Sequence, residues 1–325
     1  MTYIGIDVGK DSLVIAQPFM VDSKLSFTMS RLCNDCAAIE AWLNEQPNCQ
    51  LLHIVFEATG TYSYRLAYCL DLHDVAYSLV APKQSHHFAE TLKIVSQNDE
   101  RDAILLSHYG ITLKPERSVL AEVSLHHLRQ QRHHLSSLMT QKLMIDNQLH
   151  ALTYDPRADE RVKKSLETIQ ELLADQIEQF KKELYNLDDE KYGQIYQTLI
   201  QIKGIGPASA SGLIIATNGF QTFDNVKQVA KFIGTVPRTK ESGRSVKINK
   251  GIIKTGVPYL RAILYNAAKS AIRWNNACKE LYQRLRQRGK PHKLVMVAVI
   301  NKLLKQAFAM VKKNAKFDNN FAKAK

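Results

Sequence analysis

Residues 3–10, YIGIDVGK, carry the pattern from which the fold of the first part of the chain can be predicted. Apolar and polar residues alternate over 2–17, and the alternation breaks at Gly9, which predicts a β-hairpin whose first strand covers 3–7. Asp7 ends that strand. A carboxylate at the end of an apolar strand becomes informative together with the acids that follow it.

Short patterned segments continue up to about residue 117. Further strands are predicted over 24–31, 50–56 and 75–80, and helices over 37–44, 64–72 and 99–109. The order is three strands, helix, strand, helix, strand, helix. This order favours an α/β domain with a mixed sheet and helices on both faces.

The middle of the chain, residues 118–195, carries apolar residues at three-to-four spacing and no strand pattern. Residues 154–156 (YDP) separate two such series, which predicts a long helical hairpin or a pair of coiled-coil arms. The helices either pack on their own domain or form an oligomerisation arm. From residue 196 the chain is predicted to be helical, interrupted by glycines, and basic. The sequence thus divides into 1–117, 118–195 and 196–325.

The charge of the chain is unevenly distributed. The 325 residues include 44 Lys+Arg and 31 Asp+Glu, a net charge of +13, and the 45% hydrophobic and 23% charged content is typical of a globular protein. Residues 196–325 hold 25 basic and 4 acidic residues, net +21, whereas 1–120 and 121–195 are net −5 and −3. This local excess predicts a polyanionic partner, either nucleic acid or an anionic membrane surface.

A cytoplasmic location is expected. The N-terminus lacks a basic start and a long apolar core, and the longest uncharged run, 204–223, is too rich in Gly, Ser, Thr and Asn for a membrane helix. Five cysteines without an even framework predict reduced thiols.

Four acidic residues form the first group of candidate functional residues. Asp7 and Glu57 end or follow predicted strands, and Asp99 and Asp102 share one face of a predicted helix. Acids that converge at a sheet edge repel one another unless they hold a hard cation, and Mg²⁺ takes oxygen ligands and keeps substrate phosphates in its shell. Two such ions about 4 Å apart stabilise the attacking and leaving oxygens in phosphoryl transfer. The sequence therefore predicts a Mg²⁺ site, with Mn²⁺ as the alternative ion.

A competing interpretation is a sugar-kinase or actin-type ATPase, which also opens with an apolar strand followed by Gly, Asp and Gly. Against it, the sequence contains no G-x-x-x-x-G-K-[ST] run and no second phosphate loop. A sugar kinase also has no need of a strongly basic C-terminal segment.

The basic segment contains the second group of candidate functional residues. The GIG motif at 204–206 is typical of a helix–hairpin–helix turn, whose backbone N–H groups hold a DNA phosphate without reading bases; a plain tight turn is the alternative. Ser242 follows in a predicted loop among cations, and Ser245 is an equal candidate there. A serine attacks phosphorus only when it is positioned and the phosphate charge is neutralised. The candidate nucleic-acid-binding residues are Lys203, Gly204, Gly206, Arg238, Lys240, Arg244, Lys247, Lys250, Lys254, Arg261, Arg284, Arg286, Arg288, Lys290 and Lys293.

Together these segments resemble a known family, the insertion-sequence transposases with an N-terminal RuvC-like DEDD domain and a C-terminal serine-bearing transposase domain. DNA invertases of the Piv/MooV type are relatives, and the resemblance covers nearly the whole chain. The motifs that carry it are IGIDVGK at 4–10, FEATGTY at 56–62, DERDA at 99–103, GIG at 204–206, GTVP at 234–237 leading to Ser242, and KTG at 254–256 leading to Leu260-Arg261. The chain departs from the family pattern at Gln97-Asn98, Lys203 and Val257, none of which is a candidate catalytic group.

The resemblance implies a specific chemistry. The N-terminal domain would be RNase H-like and would bind Mg²⁺ through Asp7, Glu57, Asp99 and Asp102. Ser242 would be the nucleophile that forms a covalent phosphoserine link to DNA.

The resemblance also implies partners. Family members of this type are similar to bridge-RNA-guided recombinases, in which a non-coding RNA pairs with donor and target double-stranded DNA and the protein recombines them. The protein would then need mainly backbone contacts to nucleic acid. A bacterial cytoplasmic protein is implied, associated with the nucleoid when active and assembled as a tetramer, a dimer of dimers, through arms at 121–195. No membrane partner is expected.

Two alternatives of different classes stay open. A Mg²⁺-dependent junction or RNA nuclease of the RuvC class would use the acids without serine chemistry and leave free strand ends. A non-catalytic nucleic-acid-binding regulator would function without either the acids or Ser242.

Overall fold

A computed structural model describes residues 1–92, 98–187, 191–242, 246–253 and 256–320, with the backbone alone over 238–242 and 246–250. The chain forms two compact units, Met1–Ala121 and Glu122–Lys325. The further division of the second unit into an arm and a transposase domain stays a prediction.

The first unit is an α/β unit. Its elements are β1 Thr2–Val8, β2 Ser12–Val21, β3 Lys24–Cys33, α1 Cys36–Asn44, β4 Leu52–Glu57, α2 Tyr62–Leu72, β5 Ala76–Val80, α3 Pro82–Thr91 and α4 Asp99–Leu113, with a 3₁₀ turn at Cys49–Leu51. The predicted order of strands and helices is confirmed. The structure adds α3, which was not predicted. This helix begins with Pro82, whose missing N–H is no loss in the first helical turn.

The five strands form one mixed sheet in the order β3-β2-β1-β4-β5. β1 pairs antiparallel with β2 and parallel with β4, and β4 pairs parallel with β5. β1 is therefore internal, and its Ile4 and Ile6 are fully buried together with Ile54 and Phe56 of β4. Because β1 and β4 run in the same direction, their C-terminal ends lie side by side at one edge of the sheet.

Helix α4 lies directly on the sheet at Gly5. A Cβ atom at Gly5 would overlap the Ala103 carbonyl oxygen and the Ser107 backbone nitrogen, so only glycine allows this approach. The Ser107 hydroxyl donates to the Tyr3 carbonyl oxygen at 2.7 Å, and Gly110 also packs closely on the Tyr3 side chain. The close contact fixes the first turn of α4 beside the C-terminal end of β1.

The second unit is mainly helical. Its elements are α5 Val123–Leu152, α6 Glu160–Leu184, α7 Gly193–Ile200, α8 Pro207–Thr217, α9 Val226–Ile233, β6 Pro237–Ser242, β7 Val246–Ile252, α10 Pro258–Trp274, α11 Asn276–Gln287 and α12 His292–Lys313. The prediction of helix from residue 196 was wrong at one place, because β6 and β7 form an antiparallel hairpin. Val246, Ile248 and Ile252 keep a strand period of two, which the many charges in this segment obscured.

The predicted helical hairpin is formed by α5 and α6. Leu135 of α5 is buried in one apolar cluster with Leu173 and Ile177 of α6. Gln170 of α6 donates to Asp146 of α5 at 2.6 Å. Asp146, late in α5, meets Gln170, whereas the earlier Leu135 lies with the later residues Leu173 and Ile177 of α6, so the helices are antiparallel. A coiled coil or an oligomerisation role for this arm stays a prediction.

Helix α12 is long and apolar enough to cross a membrane by length and composition alone. Lysines interrupt its apolar residues, so the sequence shows no long uncharged run there. Val295, Val299 and Leu303 are fully buried, and α12 packs against α7, α9, α10 and α11. These contacts are those of a core helix of the second unit.

Candidate active site and nucleic-acid interface

The structure brings the four predicted acids to the same edge of the sheet. Asp7 is the penultimate residue of β1, and Glu57 is the last residue of β4, at neighbouring positions of the parallel register. Asp99 and Asp102 lie in the first turn of α4. The close packing of α4 on Gly5 places this turn beside the two strand ends.

The four carboxylates interact electrostatically. Partial burial first, and then the charges of Asp102, Asp99 and Glu57, raise the pKa of Asp7 to about 6. The pKa of Asp102 is also raised, by burial first and then by Glu57 and Asp99. Because each of these charges raises the pKa of its neighbours, the carboxylates repel one another. Such a cluster is stabilised by binding either a proton or a cation.

The donor set fits a hard divalent cation, since all four residues supply carboxylate oxygens. Within the described residues, no three of these acids bring ligand oxygens within 4.8 Å of one another.

Asp99 has a basic partner that the sequence did not indicate. The Arg31 Nη2 atom on β3 lies 3.2 Å from Asp99 Oδ2, and the two side chains are 60% and 61% exposed. An ion pair this exposed contributes little to stability. A cation at the site would compete with Arg31 for the Asp99 carboxylate.

Two further features of α3 escaped the sequence analysis. Ser85 is 1% exposed, and its hydroxyl donates to Glu57 Oε1. His86, His87 and Glu90 are exposed, and their candidate ligand atoms lie within 4.8 Å of one another. The H-H-x-x-E spacing could have been recognised once α3 was assigned, whereas a lone serine gives no signal.

The structure places Ser242 in a strand and not in the predicted loop. Ser242 is the last residue of β6, and its backbone is paired with that of Val246 on β7. The side chains of Ser242, Arg238, Lys240, Lys247 and Lys250, and the whole of Arg244, Ser245 and Lys254, lie outside the described residues.

Buried polar contacts fix the root of the β6–β7 hairpin. The hydroxyl of the fully buried Thr235 donates to Asn301 Oδ1 of α12 at 2.7 Å, and Asn301 Nδ2 donates to the Thr235 carbonyl oxygen at 3.3 Å. Arg261 of α10 donates to the Ile233 carbonyl oxygen at 2.9 Å. Arg261, predicted to contact nucleic acid, therefore holds the backbone that leads into β6.

The GIG motif lies in the turn between α7 and α8. Gly204 has φ +106°, and a Cβ there would overlap Ala271 of α10. Gly206 precedes α8, has no side-chain cap, and has open space where a Cβ would stand. Pro207 has no N–H, and the N–H groups of Ser209 and Ala210 donate to the Gly206 carbonyl oxygen. Within the described residues, the Ala208 N–H is therefore the donor left at the start of α8, and Lys203 is exposed in the same turn. The turn thus presents one backbone donor and one cation to a phosphate.

A second group of predicted residues lies where α11 turns into α12. The chain reverses at Gly289, which has φ +71°. The exposed residues of this "basic corner" are Arg284, Arg286, Arg288, Lys290 and Lys293. Five exposed cations within ten residues form a surface suited to a polyanion.

Comparison with known proteins agrees with this arrangement. Residues 4–153 match a family model described as "Transposase", for the DEDD domain of the IS110 type, and residues 196–283 match the model "Transposase IS116/IS110/IS902 family". Over 98% of both chains, the sequence is 29% identical to the pilin gene-inverting protein of Moraxella bovis and 27% identical to that of Moraxella lacunata. It is 32% identical to a "Probable family 20 transposase" of Pseudomonas aeruginosa over 35% of each chain.

The clustered acids, the α/β unit and these matches define a DNA recombination enzyme. Its substrate is DNA, and its DEDD domain indicates the use of a divalent metal ion. The chain belongs to the IS110/IS116 family of transposases.

Proposed function

We propose that the chain is the RNA-guided transposase of an insertion sequence, and that it cuts and rejoins donor and target DNA through a covalent phosphoserine intermediate. The observation that carries the proposal is the convergence of Asp7, Glu57, Asp99 and Asp102 at one edge of a mixed sheet. The strand order β3-β2-β1-β4-β5 supports an RNase H-like fold for this unit.

The four acids would hold Mg²⁺, which supplies charge neutralisation at the reacting phosphate. Because the pKa of Asp7 is raised to about 6, a cation must displace a proton below that pH. The site therefore fills more readily as the pH rises above about 6.

Ser242 would supply the nucleophile. Its hydroxyl oxygen attacks a DNA phosphorus and gives up its proton as the phosphoserine ester forms, and the sugar oxygen of the broken bond leaves and takes up a proton. Attack by the sugar hydroxyl of another strand then reverses this chemistry, joins the strands and frees Ser242. The anchored hairpin root supports the proposal, because a nucleophile must be held in place.

Nucleic-acid binding would fall mainly to the second unit. The GIG turn presents the Ala208 N–H and the exposed Lys203, and the basic corner presents five exposed cations. Such groups contact phosphates without reading sequence. Sequence would be read by pairing between a bridge RNA and the donor and target DNA.

Assembly as a tetramer would use the arm. Several large apolar side chains of α5 and α6 are exposed rather than packed in the hairpin. They are Met139, Leu143, Met144, Val162, Ile169 and Leu172. Exposed apolar side chains at this density favour contact with another protein surface.

The serine chemistry is tested with Ser242→Ala. DNA carrying the element's ends is incubated with the protein and Mg²⁺, and covalent protein–DNA adducts are separated on a denaturing gel. Ser242→Ala should abolish the adduct and spare DNA binding, whereas Ser270→Ala, an exposed serine of α10, should keep both. An adduct that persists in Ser242→Ala would overturn the role of Ser242, and full activity in EDTA would overturn the metal site.

RNA guidance is tested by sequencing the RNA that co-purifies with the protein. One discrete structured species is expected. Recombination by RNA-free protein would contradict guidance, and free strand ends without an adduct would point instead to a nuclease of the RuvC class.

A further inference from the structure

We propose that Ser85 is a positioning residue for Glu57 and thereby sets the affinity of the acid site for divalent metal. This inference rests on the metal site of the proposed function. Ser85 is 1% exposed, and its hydroxyl donates to Glu57 Oε1. Within the described residues, the hydrogen bonds of the Glu57 carboxylate are made through Oε1, which leaves Oε2 for a cation.

The hydroxyl of Ser85 has one proton and two acceptors. Besides Glu57 Oε1, the Pro82 carbonyl oxygen of the same helix lies 2.9 Å away. An ionised carboxylate is a stronger acceptor than a backbone carbonyl. When Glu57 is ionised, as metal binding requires, the proton of Ser85 therefore points to Glu57. The Pro82 carbonyl keeps the hydroxyl satisfied if Glu57 turns away.

Helix α3 is itself fixed to the element that carries the other acids. The ring of Phe88 on α3 meets that of Tyr109 on α4 edge to face, with centroids 5.2 Å apart. Both side chains belong to one apolar cluster against Val55 and Val80 of the sheet. Helix α3 thus positions Glu57 through Ser85. The same helix packs through Phe88 against α4, which carries Asp99 and Asp102.

The effect on metal affinity of removing such a hydrogen-bond partner has a known size. Side chains that orient metal ligands by hydrogen bonds change metal affinity by about 10- to 100-fold when they are removed. Without Ser85, the Glu57 carboxylate can rotate about its terminal bond, and the cation must order it again on binding. Removing Ser85 should therefore lower the metal affinity more than it lowers the stability of the fold.

The test titrates purified protein with Mn²⁺ alone and follows the free ion by electron paramagnetic resonance. Ser85→Ala should bind Mn²⁺ about 10-fold or more weakly. Ser211→Ala is the matched control, since it removes one buried helical hydroxyl that donates to the Pro207 carbonyl oxygen at 3.0 Å, as Ser85 faces that of Pro82, in the unit that does not carry the acids. Ser85→Cys keeps the volume with a weak donor and should also bind Mn²⁺ more weakly.

Thermal unfolding of the same preparations separates metal affinity from folding. Equal loss of Mn²⁺ affinity in Ser85→Ala and Ser211→Ala, or wild-type affinity in Ser85→Ala, would overturn the positioning role. If Asp102→Asn binds Mn²⁺ as tightly as the wild type, the metal site itself fails. The positioning role alone fails when Asp102→Asn loses binding and Ser85→Ala does not.

Discussion

Asp7 is the acid of the site whose protonation should make the stability of the protein depend on pH. Its pKa is raised from 3.8 to about 6, by burial first and then by the neighbouring acids, so the folded protein favours protonated Asp7 more than the unfolded chain does. In the metal-free protein, this contributes stability that is fully present below about pH 4 and is lost as the pH rises through about 6. We expect Asp7→Asn, which cannot ionise, to unfold at a higher temperature than the wild type at neutral pH in EDTA.

The same variant should lose Mg²⁺-dependent strand exchange, and added Mg²⁺ should stabilise the wild type but not Asp7→Asn. Asp22→Asn is the matched control. Asp22 is an exposed acid of the β2–β3 turn at φ +47°, a conformation that asparagine also adopts. Thermal melts across the acidic to neutral range give the comparison. A pH profile of Asp7→Asn that parallels the wild type would refute the assignment of this stability to Asp7.

At the scale of elements, substitutions at the two glycines of the GIG turn test its DNA-binding role separately from its role in the fold. Gly206→Ala places its Cβ in open space at φ −95°, so the fold should be unchanged. The methyl group would stand where a phosphate approaches the Ala208 N–H at the start of α8. Affinity for duplex DNA should fall several-fold at fixed salt, measured by fluorescence anisotropy, while the unfolding midpoint stays at the wild-type value.

Gly204→Ala provides the contrast. At φ +106° and against Ala271, the added Cβ strains the backbone. The free energy of unfolding should fall by an amount typical of such strain, about 1 to 3 kcal/mol. Wild-type DNA affinity in Gly206→Ala would mean that the turn is only a connection between helices.

The elements also explain how much the sequence could predict. Periodicity within one segment reports which side chains are buried, so β1 and the placement of Asp7 followed from the sequence. Contacts between distant segments leave no local pattern, and for this reason Ser85 with Glu57 and Thr235 with Asn301 were not predicted. In β7, the charged residues between Val246, Ile248 and Ile252 concealed a strand period, and β6, with the sequence PRTKES, has no apolar alternation to recognise.

At the scale of the whole molecule, the uneven charge assigns metal binding to the N-terminal part of the chain and phosphate binding to the C-terminal part. Residues 1–120 carry a net −5 and include acids that repel a phosphate until a cation is bound, whereas residues 196–325 carry +21. Affinity for DNA should therefore depend on the basic end. About ten phosphate contacts would make the logarithm of the binding constant fall with the logarithm of salt concentration at a slope near −9 for duplex DNA.

The basic corner should account for part of that slope. Replacing Arg284, Arg286 and Arg288 together by Gln removes three exposed cations, and each lost phosphate contact reduces the slope by about 0.9. The triple variant should therefore reach a slope near −6, measured by anisotropy titrations at several salt concentrations. Replacing Arg157, Arg161 and Lys164, exposed cations in and before α6, removes the same charge from a segment of net −3. An equal change of slope in both triple variants would mean that DNA responds to total charge, and a change confined to the first would place the phosphate contacts at the basic corner.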